Sequence, residues 1–243
     1  MVDKNGKKVS QSFDGVTLSE DRFIITNGEK YGLITLQGET IFPSENQGIF
    51  DAGQGYFGIL DNQGNFGYFD KDGKNIIPAI YNGGTGFVGD YAAVMRKDNG
   101  VEKTGVIDKK NRIIVPIIYE RTIICNDKNG QPCFWIFKDG VFNEYNIQTK
   151  RFTPSRYVDM AVTPYGTLTK SATENYGLVI GNQEIIPPVL NSPEDVANLF
   201  AFMSLNDMSQ ISPLQARTIS IRLNPETNKF KLSDKIDNDY WDY

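Results

Sequence analysis

The chain writes nearly the same phrase several times. YGLITLQGETIFP begins at Tyr31, FGYFDKDGKNIIPAIY at Phe66, TGVIDKKNRIIVPIIY at Thr104 and NYGLVIGNQEIIPPVL at Asn175. Aligned on the second-position glycine, the copies fall at Gly32, Gly67, Gly105, Gly140 and Gly177, in steps of 35, 38, 35 and 37 residues. In three copies the glycine and the proline ending the next apolar run are 11 apart: Gly32 and Pro43, Gly67 and Pro78, Gly105 and Pro116. In the fourth copy Gly140 and Pro154 are 14 apart, and the fifth reaches Pro187 in 10 and Pro188 in 11. A period of this length marks a repeat architecture, in which each unit is one supersecondary element that buries its apolar face on its neighbours.

Within a unit, Phe66-Gly67-Tyr68-Phe69 favours an extended chain, and Asp70-Lys71-Asp72-Gly73 offers a type I turn with glycine in the left-handed position. The return strand Asn75-Ile76-Ile77-Pro78 is expected to stop where proline removes a ladder donor. Tyr81 leads into a Gly-rich connection. A further strand over 91–95 follows, turned back by Lys97-Asp98-Asn99-Gly100. Ile113-Ile114-Val115-Pro116-Ile117-Ile118 is apolar throughout, which predicts cover on both faces. The recurring glycine suits a ring lying across bare backbone, or a close approach of two units.

These residues resemble the bacterial WG repeat, often written Lys-Trp-Gly: an aromatic before Gly, then Asp-x-x-Gly-Lys, then Ile-Ile-Pro-x-x-Tyr. The resemblance spans about residues 3 to 190. Tyr31, Phe66, Thr104, Asp139 and Tyr176 stand where the family has tryptophan, so the third and fourth units diverge. The resemblance implies an all-β repeat module of bacterial secreted and envelope proteins with no shared catalytic residues.

The expected fold is therefore all-β: an array of antiparallel meanders, propeller-like, with an open β-solenoid of hairpins as the alternative. Residues 1–190 form the repeat domain of about five units. Residues 191–243 add a helix, begun by Ser192-Pro193-Glu194-Asp195 with Val196, Leu199, Phe200 and Met203 as its apolar stripe, and a hairpin over 217–232. That segment is expected to pack on or close the repeats. Asp3-Lys4-Asn5-Gly6-Lys7-Lys8-Val9 reads as the turn and second strand of a unit whose first strand was removed or is supplied from elsewhere.

Composition narrows the function. The 243 residues contain no histidine, which excludes imidazole-dependent triads, histidine-ligated metals and histidine pH switches. Two cysteines cannot build a four-thiolate zinc site. A net charge of −5 without a basic stretch argues against nucleic acid as a partner. No apolar run is long enough for a membrane span. No cofactor or metal is expected. No signal peptide is visible; the family's habits favour a periplasmic or secreted setting, with the cytoplasm as the alternative.

Asp-x-x-Gly at Asp3, Asp61, Asp70 and Asp127 lacks the full calcium loop, so each aspartate is expected to cap its own hairpin backbone. Paired carboxylates are the one enzymatic route left, and Glu39, Glu45, Asp51, Asp90, Glu120 and Glu144 are available without any spacing that pairs them. Cys125 and Cys133 flank a turn that would set them across a strand pair, either as a disulfide or as two reduced thiols. The connections 46–51, 82–90 and 155–164 follow equivalent proline-ended strands and should share one rim. Phe50, Asp51, Tyr81, Phe87, Asp90, Tyr119, Tyr157 and Tyr165 lie in or beside them as a binding surface, or, for the aromatics, as packing between units. The acidic, aromatic tail 237–243 is a further grip for a basic partner. Three functions fit: a non-catalytic binder of another protein, including an immunity-type neutralising partner; a carbohydrate-binding or carboxylate-dependent carbohydrate-active module; or a structural segment of a longer protein.

Overall fold

A computed structural model describes residues 12–127, 129–163, 166–191 and 195, together with the backbone of 220–224 and 229–233. The described residues form five four-stranded antiparallel sheets and a two-stranded hairpin. The first sheet holds β1 (Gly15–Ser19), β2 (Arg22–Asn27), β3 (Lys30–Thr35) and β4 (Thr40–Asn46); the second, β5 (Gly48–Gly53), β6 (Tyr56–Leu60), β7 (Phe66–Asp70) and β8 (Asn75–Tyr81). The third holds β9 (Gly83–Gly84), β10 (Tyr91–Asp98), β11 (Val101–Asp108) and β12 (Ile113–Tyr119); the fourth, β13 (Thr122–Asn126), β14 (Pro132–Lys138), β15 (Val141–Asn146) and β16 (Arg151–Pro154). The fifth holds β17 (Tyr157–Thr163), β18 (Gly166–Ser171), β19 (Tyr176–Ile180) and β20 (Gln183–Leu190), and β21 (Ser220–Asn224) pairs with β22 (Lys229–Ser233). Neighbours in space are neighbours in sequence within every sheet, so each repeat is a four-stranded meander. The chain divides into two compact units, Met1–Ile124 and Cys125–Tyr243. Asp195 is helical and accepts a hydrogen bond from the Asn191 N–H at 3.2 Å. The rest of the expected helix, residues 3–9 and the tail 237–243 lie outside the described residues.

The repeated glycine has one job. A Cβ on Gly32, Gly67, Gly105 or Gly177 would fall 2.8, 2.6, 2.6 and 2.6 Å from the carbonyl oxygens of Phe42, Ile77, Val115 and Ile186, each the residue before a proline. The ladder shifts register over every one of these glycines: Phe66 pairs with Tyr81 and Tyr68 with Ile77, so Pro78-Ala79-Ile80 oppose Gly67 alone. The same holds for Pro43-Ser44-Glu45, Pro116-Ile117-Ile118 and Pro187-Pro188-Val189. The bare backbone thus faces a bulge on the outer strand of its own sheet, rather than a ring or a neighbouring unit.

Proline does not stop these strands. Pro43, Pro78, Pro116 and Pro187 lie inside β4, β8, β12 and β20, and only Pro154 ends one, β16. All five strands are outermost in their sheets, where a missing N–H removes no ladder bond and guards the edge against added strands. In the fifth sheet β19 and β20 are joined by two residues, Ile180 pairing with Gln183, so the glycine-to-proline distance is one shorter and Pro187 is the equivalent proline.

The fourth copy corrects the alignment. Gly140 sits in the β14–β15 turn at φ 82°, with open space where a Cβ would go. Asn143 occupies the glycine's place opposite Pro154, the ladder there is regular, and its amide donates to the carbonyls of Lys138 and Val141 at 3.0 Å each. Where the bulge is absent, the glycine is absent too.

The Asp-x-x-Gly turns follow the expected device. Oδ1 of Asp61, Asp70 and Asp127, and also of Asp108, accepts the backbone N–H groups two and four residues on, at 2.7–3.0 Å. Asp3 lies outside the described residues.

In the first unit the core sits between successive sheets. Leu33, Ile49, Phe57 and Ile59 bring the first two together, and Phe66, Tyr68, Tyr81, Phe87, Val94 and Ile107 join the second to the third. The cover predicted for both faces of the Ile113–Ile118 run is not found: only Val115 is fully buried, while Ile113 and Ile118 are 54% and 60% exposed. An outermost strand packs only on its inner side, and composition does not reveal that position.

Candidate interaction surface

Of the aromatics expected on a loop rim, three meet in the core between the second and third sheets. Phe50 stacks on Phe66 at 5.9 Å, and its ring covers Gly58, where a Cβ would lie 2.5 Å away. Phe87, 9% exposed, lies 5.3 Å from the Tyr56 ring and 4.8 Å from that of Tyr68. Tyr81, 1% exposed, donates its hydroxyl to Asn111 Oδ1 at 2.6 Å under the Arg96 guanidinium. Burial pushes the Tyr81 phenol up against the opposing pull of Arg96. Tyr68 beside them donates to the Thr85 carbonyl at 2.7 Å, and desolvation carries its phenol well above the usual range.

The carboxylates of the expected rim serve the frame. Asp51 accepts the Ser19 hydroxyl at 2.7 Å and the Gly53 N–H at 2.7 Å. Asp90 pairs with Lys109 at 3.1 Å; the Lys109 ammonium also donates to Gln54 and lies over the Tyr56 and Phe87 rings. Gln54 in turn donates to the Gly89 carbonyl at 2.9 Å, 35 residues on, just as Glu20 accepts from the Gly55 N–H at 3.0 Å. The β1–β2 and β5–β6 tips therefore each hold the next sheet. Arg22 reinforces the first junction through the Lys71 carbonyl at 2.9 Å and Asp72 at 2.7 Å.

Tyr119 is half-buried at the end of β12, opposite Thr104, whose hydroxyl donates to its carbonyl. Tyr157, in the second unit, is buried against Trp135 and donates to Glu184 at 2.6 Å; desolvation first, and Glu184 second, raise its phenol. Tyr165 lies outside the described residues. Glu144 accepts from Asn182 at 2.9 Å, and Glu39, Glu45 and Glu120 are exposed. Among the described residues no three His, Cys, Asp or Glu side chains cluster to hold a metal.

The structure instead exposes the outer-strand bulges. The third bulge residue points outward in each of the first three sheets: Glu45, Ile80 and Ile118, the two isoleucines being 50% and 60% exposed. Their prolines, Pro43, Pro78 and Pro116, are exposed beside them. This repeated, proline-rimmed row of one polar and two apolar side chains is the feature that sequence reasoning missed. Its signal is present, two residues after each repeat proline. On the first sheet, a concavity of about 420 Å³ is lined by Phe13, Ile25, Asn27, Gly38, Thr40, Pro43, Ser44 and Glu45. Among the described residues no helix is long and apolar enough to cross a membrane.

Residues 66–99 and 105–124 match the family described as WG containing repeat. No curated protein matches the chain in sequence. Similar solved structures include PorZ, a surface component of the type-IX secretion system of Porphyromonas gingivalis (14% identity, 74% of this chain and 28% of that one, TM-score 0.42). Others are the extracellular domain of a one-component system from B. thetaiotaomicron (9%, 79% and 29%, 0.41) and TolB from Acinetobacter baumannii (12%, 70% and 49%, 0.40). The chain spans less than half the length of each of these structures.

Proposed function

The chain is a WG-repeat protein over residues 66–99 and 105–124, and from that premise we propose that it is a non-catalytic module that binds another protein in a bacterial envelope or secretion setting. An immunity-type neutralising partner is the concrete form of this reading, in keeping with a net charge of −5. The observation that carries it is the pair Ile80 and Ile118, solvent-exposed at equivalent places on two successive rigid sheets. Apolar side chains held outward by a proline-guarded strand favour side-chain docking over strand addition. The turn aspartates support the non-catalytic reading, because Asp61, Asp70, Asp108 and Asp127 each spend one carboxylate oxygen on two backbone donors.

Affinity capture from the source cell with the chain as bait, read by quantitative mass spectrometry, tests the proposal. A single protein recovered in stoichiometric amount supports it, and recovery of none overturns it. A second reading, carbohydrate binding, rests on the concavity of the first sheet, which Asn27, Thr40 and Glu45 line together with Phe13. Glycan-array binding that is lost with Asn27→Ala favours it over the first.

A further inference from the structure

The fourth sheet brings two thiols together. The N–H of Asp127 donates to the Gln131 carbonyl at 2.7 Å, closing the turn between β13 and β14. Two residues outward on each strand, Cys125 faces Cys133. The hairpin closed in the same way by Asp61 and Asn65 sets Ile59 opposite Gly67, two residues out on each strand. Residues so paired lie about 5.5 Å apart at Cα, within the span of a disulfide.

Both side chains are buried and free, and they hydrogen-bond to each other. Their surroundings are built. Cys125 Sγ points at the Gly181 carbonyl, at 3.9 Å, which also accepts the Trp135 indole N–H at 3.0 Å. A Cβ on Gly181 would lie 3.0 Å from Cys133 Sγ, so this β19–β20 turn closes directly over the pair. Thr167 hydrogen-bonds to Cys125 from β18. Asp127 and Glu144 are the charged groups nearby, and both oppose ionisation of Cys133, after the hydrogen bond that Cys133 donates to Cys125 and burial have already raised it. In the closed hairpin the hydrogen bond from Cys133, and then that from Thr167, hold the Cys125 thiol below its ordinary value despite burial.

We infer that Cys125 and Cys133 are a redox modification site, closing to an intrachain disulfide that clasps the β13–β14 hairpin beneath the Gly181 turn. The oxidant is a disulfide-bearing thiol compound, and exchange takes place while the hairpin is open during folding. One cysteine thiolate attacks one oxidant sulfur and expels a thiolate, forming a mixed disulfide. The other cysteine's thiolate then attacks the protein sulfur of that mixed disulfide and expels the second thiolate. Two electrons pass from the cysteines to the oxidant, and the two thiol protons end on the released thiols. This site stands independently of the protein-binding reading.

The test uses the full chain refolded in a glutathione redox buffer or in dithiothreitol, quenched by alkylation under denaturing conditions. The oxidised sample should be lighter by two hydrogens before alkylation and should take up no alkyl group. Trypsin should release peptides 122–128 and 129–138 joined to each other, and reduction should separate them. The melting temperature should rise by roughly 5 °C on oxidation of the wild type. It should not differ between the two buffers for Cys125→Ser or Cys133→Ser. Two alkylated cysteines after oxidation, glutathione adducts at either position, or disulfide-linked dimers overturn the inference. The wild-type comparison holds even where a serine variant folds poorly.

Discussion

A Cβ placed on Gly67 falls 2.6 Å from the carbonyl oxygen of Ile77, inside the three-residue bulge that Pro78 begins. Backbone rather than a flexible side chain fills that space, so Gly67→Ala must displace the outer strand. It is expected to cost about 2–3 kcal/mol, and Gly105→Ala a similar amount, as a shift of the urea midpoint at constant slope. Gly140→Ala meets no atom and pays only for its left-handed backbone, about 1 kcal/mol. Equal costs at Gly67 and Gly140 would refute the assignment of roles.

Asp108 predicts a pH dependence. Burial raises its carboxyl, but the N–H and side chain of Arg112 and the N–H of Lys110 outweigh this and hold it below the ordinary 3.8. The folded pKa is lower than the unfolded one, so its stabilisation is complete above about pH 4 and is lost as pH falls through the lowered folded value. Asp108→Asn should cost about 1–2 kcal/mol at neutral pH. Its gap from wild type should narrow below about pH 4 in urea titrations, because the wild-type carboxylate is then protonated.

Arg22 offers a test of the sheet junctions. Its guanidinium reaches the Lys71 carbonyl through Nε and Asp72 through Nη2, a fork that an ammonium cannot copy. Arg22→Ala should cost about 2 kcal/mol, and Arg22→Lys should recover less than half of it. Full rescue by lysine would mean that the position needs only charge.

Phe87 is the largest single test of the core. It fills the space between Tyr56 and Tyr68, while its N–H donates to the Ala52 carbonyl at 2.7 Å. Phe87→Ala should cost about 3–5 kcal/mol by thermal or urea unfolding. A cost under about 1 kcal/mol would return Phe87 to the surface role that its loop position suggests.

The period, the hairpins and their aspartate caps were legible because each depends on local chemistry: turn residues, a left-handed glycine and a proline. Gly140 misled because glycine serves two purposes here, a positive φ in a turn and a bare face under a bulge, and one letter stands for both. The strand through Ile113 and Ile118 was misread because apolar character records propensity, whereas its outermost place in the sheet is set by topology. For Phe50, Tyr81 and Phe87 the sequence left two readings open, a loop rim or packing between units, because their connections fit both. The gap between two sheets, which only the assembled pair creates, draws them inward.

The most direct measurement of the central claim compares binding of the captured partner by calorimetry. The double variant Ile80→Asp, Ile118→Asp should weaken binding at least about 100-fold with the melting temperature held near wild type. Val162→Asp, a charge placed on an equally exposed apolar residue of the second unit, should leave affinity unchanged. Undiminished affinity in the double variant, or equal loss in both, would contradict the assignment of the outer-strand bulges as the binding surface.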